Sequence, residues 1–359
     1  MSAMRLAVVV GTRPEIVKMA SVIHELRGRG ADFTIIHTGQ HYDRELSAQF
    51  FEELGLPRPD VNLETGSGNP GEQTATALQR LERAFLDDRP DLILVEGDTN
   101  TVLAAALAAA KLGVRIGHVE AGLRSYDRRM PEEHNRRVTD HVSDLLFAPT
   151  EHAATTLRGE SCPGEIHVTG NTVIDACLRY GPRARPPPVE LPDQFALATA
   201  HRAENVDDPV VLRELVDIFV HCPVPVVYPV HPRTRLHLEN ADLVKVLESS
   251  GNVQLLPPVG YLEFLGLLLR CEFVLTDSGG IQEEATAPNV RKKAFVLRES
   301  TERPEAVLAG YVEVVGTRAA PVVARIEQFL AEPWNPSAES PYGDGTAGQR
   351  IAEISLGRA

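Results

Sequence analysis

Cysteine is scarce: there are four in 359 residues, Cys162, Cys177, Cys222 and Cys271, and no two are spaced C-x-x-C. That spacing argues against a disulfide framework or a zinc knuckle and predicts buried free thiols in a reducing compartment. Long apolar runs are missing as well. Stretches such as Val102 to Ala110 fall far short of the roughly 20 residues that cross a bilayer, so no membrane partner is expected. No basic run exceeds Arg291, Lys292, Lys293, and the formal charge is −14, which argues against a nucleic-acid surface. An anionic substrate must then be held by a few locally placed cations. No signal-peptide cleavage pattern precedes the first strand-like segment, which predicts a cytoplasmic protein. Metal-ligand spacing is also lacking, since His134 and His141 lie seven apart with no third matching ligand, and no metal is expected.

What is present is a folded-protein composition, 43% hydrophobic and 24% charged, in a chain long enough for two domains. Short β-branched runs alternate with helical patterns, the signature of doubly wound parallel sheets. Strands are predicted at Leu6 to Val10, Phe33 to His37, Leu92 to Val95, Ile116 to Val119 and Leu145 to Ala148. A second series covers Phe195 to Thr199, Val224 to Val230, Val253 to Leu256, Phe273 to Thr276 and Ala294 to Leu297. Helices are predicted over Glu15 to Leu26, Thr101 to Leu112, Val210 to Val220, Leu262 to Arg270 and Gly348 to Ser355, the last able to pack on either half. The string PRARPPPVELP, from Pro182 to Pro192, forbids helix and central strand and reads as an extended interdomain link.

Polar strings cluster where apolar runs end, the edge at which open α/β sheets bind ligands. In GTRPEIVK (11–18), Arg13 and Lys18 add charge to a turn that opens a helix and could meet an anion. EGDTNT (96–101) and HVEAGLR (118–124) bring Asp98 and Glu120 to neighbouring strand tips if the runs are parallel. Asp98 could equally be a helix N-cap; Glu120, before Ala121 and Gly122, has no such explanation, and a crowded carboxylate is costly unless used. In MPEEHNR (130–136) one of Glu132 and Glu133 is expected to be purely structural. His201 opens a polar loop at the end of another strand, with a structural and a catalytic role equally compatible. In LTDSGGIQEEA (275–285), Ser278, Gly279 and Gly280 can cradle phosphate with hydroxyl and amide donors, and Glu284 can accept from sugar or ribose hydroxyls. Gly66, Gly68 and Gly71 spell G-x-G-x-x-G, but a poor strand precedes them and Pro70 interrupts the loop, so no dinucleotide site is expected there.

In order, GTRPE, TGQHYD, EGDTNT, HVEAGLRS, MPEEHNR, GNTVIDA, HRAEN, YPVHPR, TDSGGIQEEA, TERPEAV and SPYGDG resemble the non-hydrolysing UDP-N-acetylglucosamine 2-epimerase family, from about residue 5 to about 355. The resemblance implies two Rossmann-like doubly wound domains in a glycosyltransferase-B-like arrangement with an interdomain cleft. It places the N-terminal domain at 1–175 plus 343–359 and the UDP-binding domain at 176–342. It also implies reversible interconversion of UDP-GlcNAc and UDP-ManNAc at sugar C2, with no redox cofactor and a homodimeric assembly. Motif matching carries proton transfer and cation stabilisation to Asp98, Glu120 and Glu132, without separating base from acid, and puts His201 near the diphosphate or leaving oxygen. Nucleotide and sugar binding fall on Arg13, Lys18, Arg136, His231, Ser278, Gly279, Gly280, Glu284 and Arg303, with Phe264 against uracil.

Two departures from the family pattern stand out. Asp43 occupies the position three residues after Gln40 where many bacterial members carry a glutamine, so activation by a second UDP-GlcNAc is not expected. The segment ATAPNVRKKAFVLRES (285–300) is about two residues longer than usual, and Arg291 to Lys293 reads as a solvated surface loop. Similar strings occur in epimerases acting on UDP-2,3-diacetamido-glucuronate, and a glycosyltransferase using a UDP-sugar donor would share the nucleotide cradle.

Overall fold

The computed structural model describes residues 4–39, 50–66, 68–337 and 339–357. The chain divides into two compact α/β units, one formed by the chain up to Ala176 together with the chain from Tyr342 onward, the other by Cys177–Pro341. Gln40 and Asp43 lie outside the described residues, as does Ser67 within the glycine-rich string. Among the described residues no helix is long and apolar enough to cross a membrane.

The described strands of the first unit are β1 (Arg5–Val10), β2 (Asp32–His37), β3 (Val61–Asn62), β4 (Leu92–Glu96), β5 (Arg115–Val119), β6 (Leu145–Ala148) and β7 (Glu165–Val168). They form one parallel sheet in the order β3-β2-β1-β4-β5-β6-β7. The second unit has β8 (Ala196–Thr199), β9 (Val226–Pro229), β10 (Val253–Leu256), β11 (Phe273–Thr276), β12 (Lys293–Val296) and β13 (Val312–Val314). They are also all parallel, in the order β10-β9-β8-β11-β12-β13. Each sheet reverses its strand order once, between β1 and β4 and between β8 and β11. Chain connections leave toward opposite faces there, and polar loops at those carboxyl ends are free to face a ligand.

The sequence forms these sheets because both faces are covered, so a central strand reads as an unbroken apolar run rather than an alternating one. Leu6 and Val8 to Val10 in β1 and Leu92 to Val95 in β4 are fully buried. Ala104, Ala105 and Ala108, on the helix Asn100–Leu112, bring that helix close to Ile93, Val95 and Ile116. In the second unit Phe273, Phe295 and Phe329 meet edge to face with centroids 5.4 to 5.9 Å apart, a geometry favoured by the ring quadrupoles. The last helix, Ala347–Ser355, packs in the first unit. Asp175 accepts from the backbone N–H of Ala347 at 3.2 Å and Gly348 at 2.8 Å, and Gly348 admits Ser21 where a Cβ would lie 2.5 Å from its Oγ.

Two expectations from the sequence are corrected. The proline-rich segment is not a link between units: the chain passes from one to the other at Ala176 and Cys177, inside the helix Thr172–Tyr180. Residues 182–192 pack within the second unit, where Arg185 N donates to Leu262 O at 3.3 Å and Gln254 Nε2 to Glu190 O at 2.8 Å. Proline removes donors but leaves the carbonyls and an extended shape, which suffices for docking on a helix. Arg291 to Lys293 is not a solvated loop. Lys293 opens β12, is buried, and pairs with Glu313 at 3.1 Å, while Arg291 lies 5.9 Å from the Tyr311 ring centroid. β7 escaped sequence reading because Glu165 and His167 interrupt its apolar pattern, and β3 and β13 are only two and three residues long.

The docked proline segment generates a stability prediction. A Cβ on Gly266, in the helix Tyr261–Arg270, would lie 2.3 Å from both Arg185 C and Pro186 N. Gly266→Ala should therefore lower stability by about 1–3 kcal/mol, measured by urea unfolding, although alanine is the better helix former. An unchanged midpoint would contradict the docking.

Candidate active site

At the switch point of the first unit the turn after β1 and the tips of β4 and β5 carry the acidic strings. Glu15, in the first turn of the helix Arg13–Gly28, folds back over its own N-terminus, accepting from Gly11 N at 2.6 Å and Thr12 Oγ at 3.0 Å. Three residues on, buried Lys18 reaches the sheet edge and pairs with Glu120 and, at 3.2 Å, with Glu96. Asn171 Nδ2 also donates to Glu120, at 3.1 Å. Glu120 has φ +68, a left-handed conformation that a non-glycine residue rarely adopts, so the loop after β5 holds its side chain at a backbone cost.

Two buried carboxylates, Glu96 and Glu120, therefore share one ammonium, and the charge of buried Glu15 acts on Glu96. Burial pushes Glu96 well above the ordinary carboxylate range; Lys18 opposes the shift, and the neighbouring Glu120 and Glu15 add to it. Burial likewise raises Glu15 to about 7, against hydrogen bonds from Thr99, Gly11 and Thr12 that favour the ionised form.

Asp98, two residues after Glu96, is not a helix cap, since the N-cap of Asn100–Leu112 is Thr99, whose side chain accepts from Val102 N at 3.4 Å. Arg136 grips the Asp98 carboxylate through Nη2 and, at 3.1 Å, through Nε, and Asn135 Nδ2 donates to the Asp98 carbonyl at 2.9 Å. The two glutamates of MPEEHNR separate. Glu133 is buried and accepts from Ser125 N at 2.9 Å, Ser125 Oγ at 3.0 Å and Arg136 at 3.2 Å, whereas Glu132 is exposed on the same first turn. Arg13 is exposed, 5.9 Å from the Phe50 ring centroid.

In the second unit the organiser is Asp277, fully buried at the end of β11. Its Oδ2 accepts from His201 N and Arg202 N at 2.9 Å each and from Asn205 Nδ2 at 3.1 Å, and its Oδ1 lies 3.2 Å from His201 Nδ1. Burial raises its pKa, but the His201 and backbone hydrogen bonds outweigh it and hold Asp277 below its ordinary value. Orientation by Asp277 leaves His201 Nε2 available, and the His231 ring stands 6.3 Å away. Glu302 collects Arg298 at 2.7 Å and Arg202 at 3.0 Å and, despite burial, is held far below the usual carboxylate range by these and Arg303. Glu283, fully buried, pairs with Arg303.

Ser278 N-caps the short helix Gly279–Glu284 without a side-chain capping bond. At Gly279 a Cβ would lie 3.3 Å from Arg303 Nη2 and Glu302 Oε1, so the turn comes close to this cationic group. Gly280, whose nearest neighbour to a Cβ would be Ser278 Oγ at 3.9 Å, follows directly. Glu284 is buried near Cys177, whose thiol burial and then Glu284 push well above its ordinary value. Phe264 is half-buried on the helix Tyr261–Arg270. In each unit the fold thus gathers the singled-out residues at one strand edge, with Arg13 and Glu132 on its exposed margin and Phe264 on a separate helix.

The sequence pattern does not single out Glu15, Glu96, Asp277 or Glu302, although each lies inside or beside a marked string. Their signal was a carboxylate adjoining an apolar run, where solvation is least available. One group with metal-type ligand atoms does occur among the described residues: His141, Glu160 and Cys162, within 4.8 Å of one another. Sequence spacing sets His141 only against His134, with no third ligand, and does not reveal this group. Arg124 and Arg137 already neutralise the Glu160 carboxylate and hold its pKa near 2, so the group is an ion-pair network and not a cation cage. A cavity of about 500 Å³ lies toward the amino end of β1, lined by residues including Arg5, Asn62, Arg80 and Asp87, and contains none of the candidate residues.

The family model described as UDP-N-acetylglucosamine 2-epimerase matches residues 24–356. The chain belongs to this family. It is 43% identical over 368 residues to a UDP-N-acetylglucosamine 2-epimerase of Methanococcus maripaludis, covering 98% of each chain. The crystal structure of the Methanocaldococcus jannaschii UDP-GlcNAc 2-epimerase in complex with UDP-GlcNAc and UDP superposes with a TM-score of 0.88 at 42% identity, over 98% of this chain and 99% of that one. A UDP-2,3-diacetamido-2,3-dideoxy-D-glucuronate 2-epimerase of Pseudomonas aeruginosa is 42% identical over 98% of this chain and 99% of its own. Two parallel-sheet α/β domains and a UDP-sugar epimerase activity are thus what this family member carries.

The buried acid group generates a pH prediction. Glu15 binds its proton more tightly folded than unfolded, so its contribution is fully present below the unfolded value near 4.5 and is lost as pH rises through about 7. Glu15→Gln should flatten that decline by on the order of 3 kcal/mol between pH 5 and 7.5 in urea titrations. A slope equal to that of the wild-type protein would contradict it.

Proposed function

We propose that this epimerase interconverts UDP-N-acetylglucosamine and UDP-N-acetylmannosamine by eliminating and re-adding UDP. The supporting observation is the pairing of Glu96 and Glu120 with Lys18, and the charge of Glu15 acting on Glu96, at the switch point of the first sheet, because a group of buried acids that cannot all ionise is suited to holding and returning protons. C2 of the sugar has no adjacent carbonyl, so its proton is not acidic by itself. The C1–O bond breaks first or in concert, its electron pair leaving on the UDP oxygen, and positive character at C1 makes the C2 proton removable. Loss of that proton forms the C1–C2 double bond of 2-acetamidoglucal. Return of a proton to the opposite face of C2, with the UDP oxygen re-adding at C1, gives the epimer without net redox change.

In this reading Asp98, Glu120 and Glu132 transfer protons and stabilise the cationic ring, with Lys18 and Arg136 orienting Glu120 and Asp98. His201, aimed by Asp277, meets the diphosphate or leaving oxygen. Ser278, Gly279, Gly280 and Arg303 hold phosphate, helped by His231, with Glu284 on ribose or sugar hydroxyls, Phe264 on uracil and Arg13 an outer cation. A second reading, epimerisation of UDP-2,3-diacetamido-glucuronate, is favoured by the 42% identity to the Pseudomonas aeruginosa enzyme. It adds a sugar carboxylate that requires a further cation.

Incubation with each nucleotide sugar, followed by proton NMR, separates the two substrates. Product from UDP-N-acetylglucosamine supports the first reading, and product from the diacetamido-glucuronate alone contradicts it. Asp98→Asn and Glu120→Gln should each lower kcat at least about a hundredfold while UDP binding stays within a few-fold. Turnover unchanged in both would refute the assigned roles.

A further inference from the structure

His118 is fully buried on β5, two residues before Glu120. Its Nδ1 lies 2.7 Å from Asp140 Oδ1 and its Nε2 2.8 Å from the Gly97 carbonyl oxygen. A carbonyl only accepts, so the contact to Gly97 is a hydrogen bond in which Nε2 is the donor. Gly97 joins Glu96 to Asp98, has φ +81, and donates its N–H to Val119 O at 3.1 Å. A glycine in that conformation has the widest backbone freedom of any residue, and the peptide after it carries Asp98.

Asp140 secures the other side. Its Oδ2 accepts from Gly122 N at 3.3 Å and Arg124 Nη1 at 2.7 Å, the residues that follow Glu120 in its left-handed turn. Arg124 is itself held by Glu160 at 2.8 and 3.1 Å. Asp140 stands on the helix Pro131–Val142, which also supplies Arg136 and Asn135 to Asp98. One imidazole ring thus joins the three acidic strings: the turn of EGDTNT, the strand of HVEAGLR and the helix that begins in MPEEHNR.

We propose that His118 is a positioning residue that braces the Gly97–Asp98 peptide against the Glu120 loop, setting the spacing of the two carboxylates for proton transfer at C2. The inference rests on the epimerase reading above. His118 touches no substrate; it acts through Gly97 and Asp140. Losing the Nε2 contact frees the Gly97 peptide to rotate while the Asp140 anchor stays. Reaction geometry at this scale is demanding, and a displacement of about 1 Å can cost on the order of a hundredfold in rate.

Two isosteric variants separate the contacts. The amide of His118→Asn lies near the Nδ1 position and faces Asp140, leaving Gly97 O without its donor, whereas that of His118→Gln lies near the Nε2 position and restores it. In the full-length enzyme His118→Asn should lower kcat about a hundredfold, with KM and UDP affinity within about threefold, and His118→Gln should recover at least about tenfold of the loss. Wild-type turnover in His118→Asn would overturn the brace. So would equal impairment of both variants with UDP affinity lost in parallel, the pattern of general structural damage. A wild-type enzyme inactive on both nucleotide sugars would contradict the epimerase reading itself.

Discussion

The first unit is organised around one buried ammonium. Lys18 is held by Glu120 and Glu96, with Glu15 close by, in a place where water cannot solvate the surplus negative charge. Attraction to Lys18 offsets the burial of one carboxylate, and the others keep protons at pH values where a surface glutamate would have lost them. The surrounding structure follows from keeping this group in place. The Gly11 and Thr12 donors seat Glu15, Asn171 steadies Glu120, and the alanine-faced helix Asn100–Leu112 packs close behind β4 and β5. Such an arrangement costs stability and is retained where chemistry uses it.

The second unit applies the same strand-edge geometry to the opposite electrostatic end. Its buried acids, Asp277, Glu283 and Glu302, are anchors that fix donors and cations: Asp277 orients the His201 loop, Glu302 gathers Arg202 and Arg298, and Glu283 pairs with Arg303. A chain of formal charge −14 thereby presents arginines and backbone N–H groups at one strand edge without a basic tract in its sequence. Bulk charge excludes broad anionic partners, while recognition of one diphosphate needs only local placement.

Much of this was legible in the sequence. Continuous runs such as Leu6 to Val10 and Leu92 to Val95 marked the central strands because burial on both faces leaves no room for alternation. Polar strings at their ends marked the sites. The errors have physical causes. Pro182 to Pro192 reads as a tether because proline suppresses helix and sheet, yet its carbonyls and extended shape dock it on the second unit. Lys293 reads as solvated because of its charge, but Glu313 neutralises it at a strand start. Asp277, His118 and Asp140 escaped notice because their importance lies in partners distant along the chain, which spacing alone does not reveal.

The central claim, that protons are taken from and returned to one sugar carbon by these acids, is tested most directly by running the enzyme in deuterium oxide on its nucleotide sugar and reading C2 by NMR and mass spectrometry. The account predicts that each product molecule carries one solvent deuteron at C2, and that returning substrate acquires it as the reaction approaches equilibrium. Epimer formed with the original hydrogen retained at C2 would contradict it.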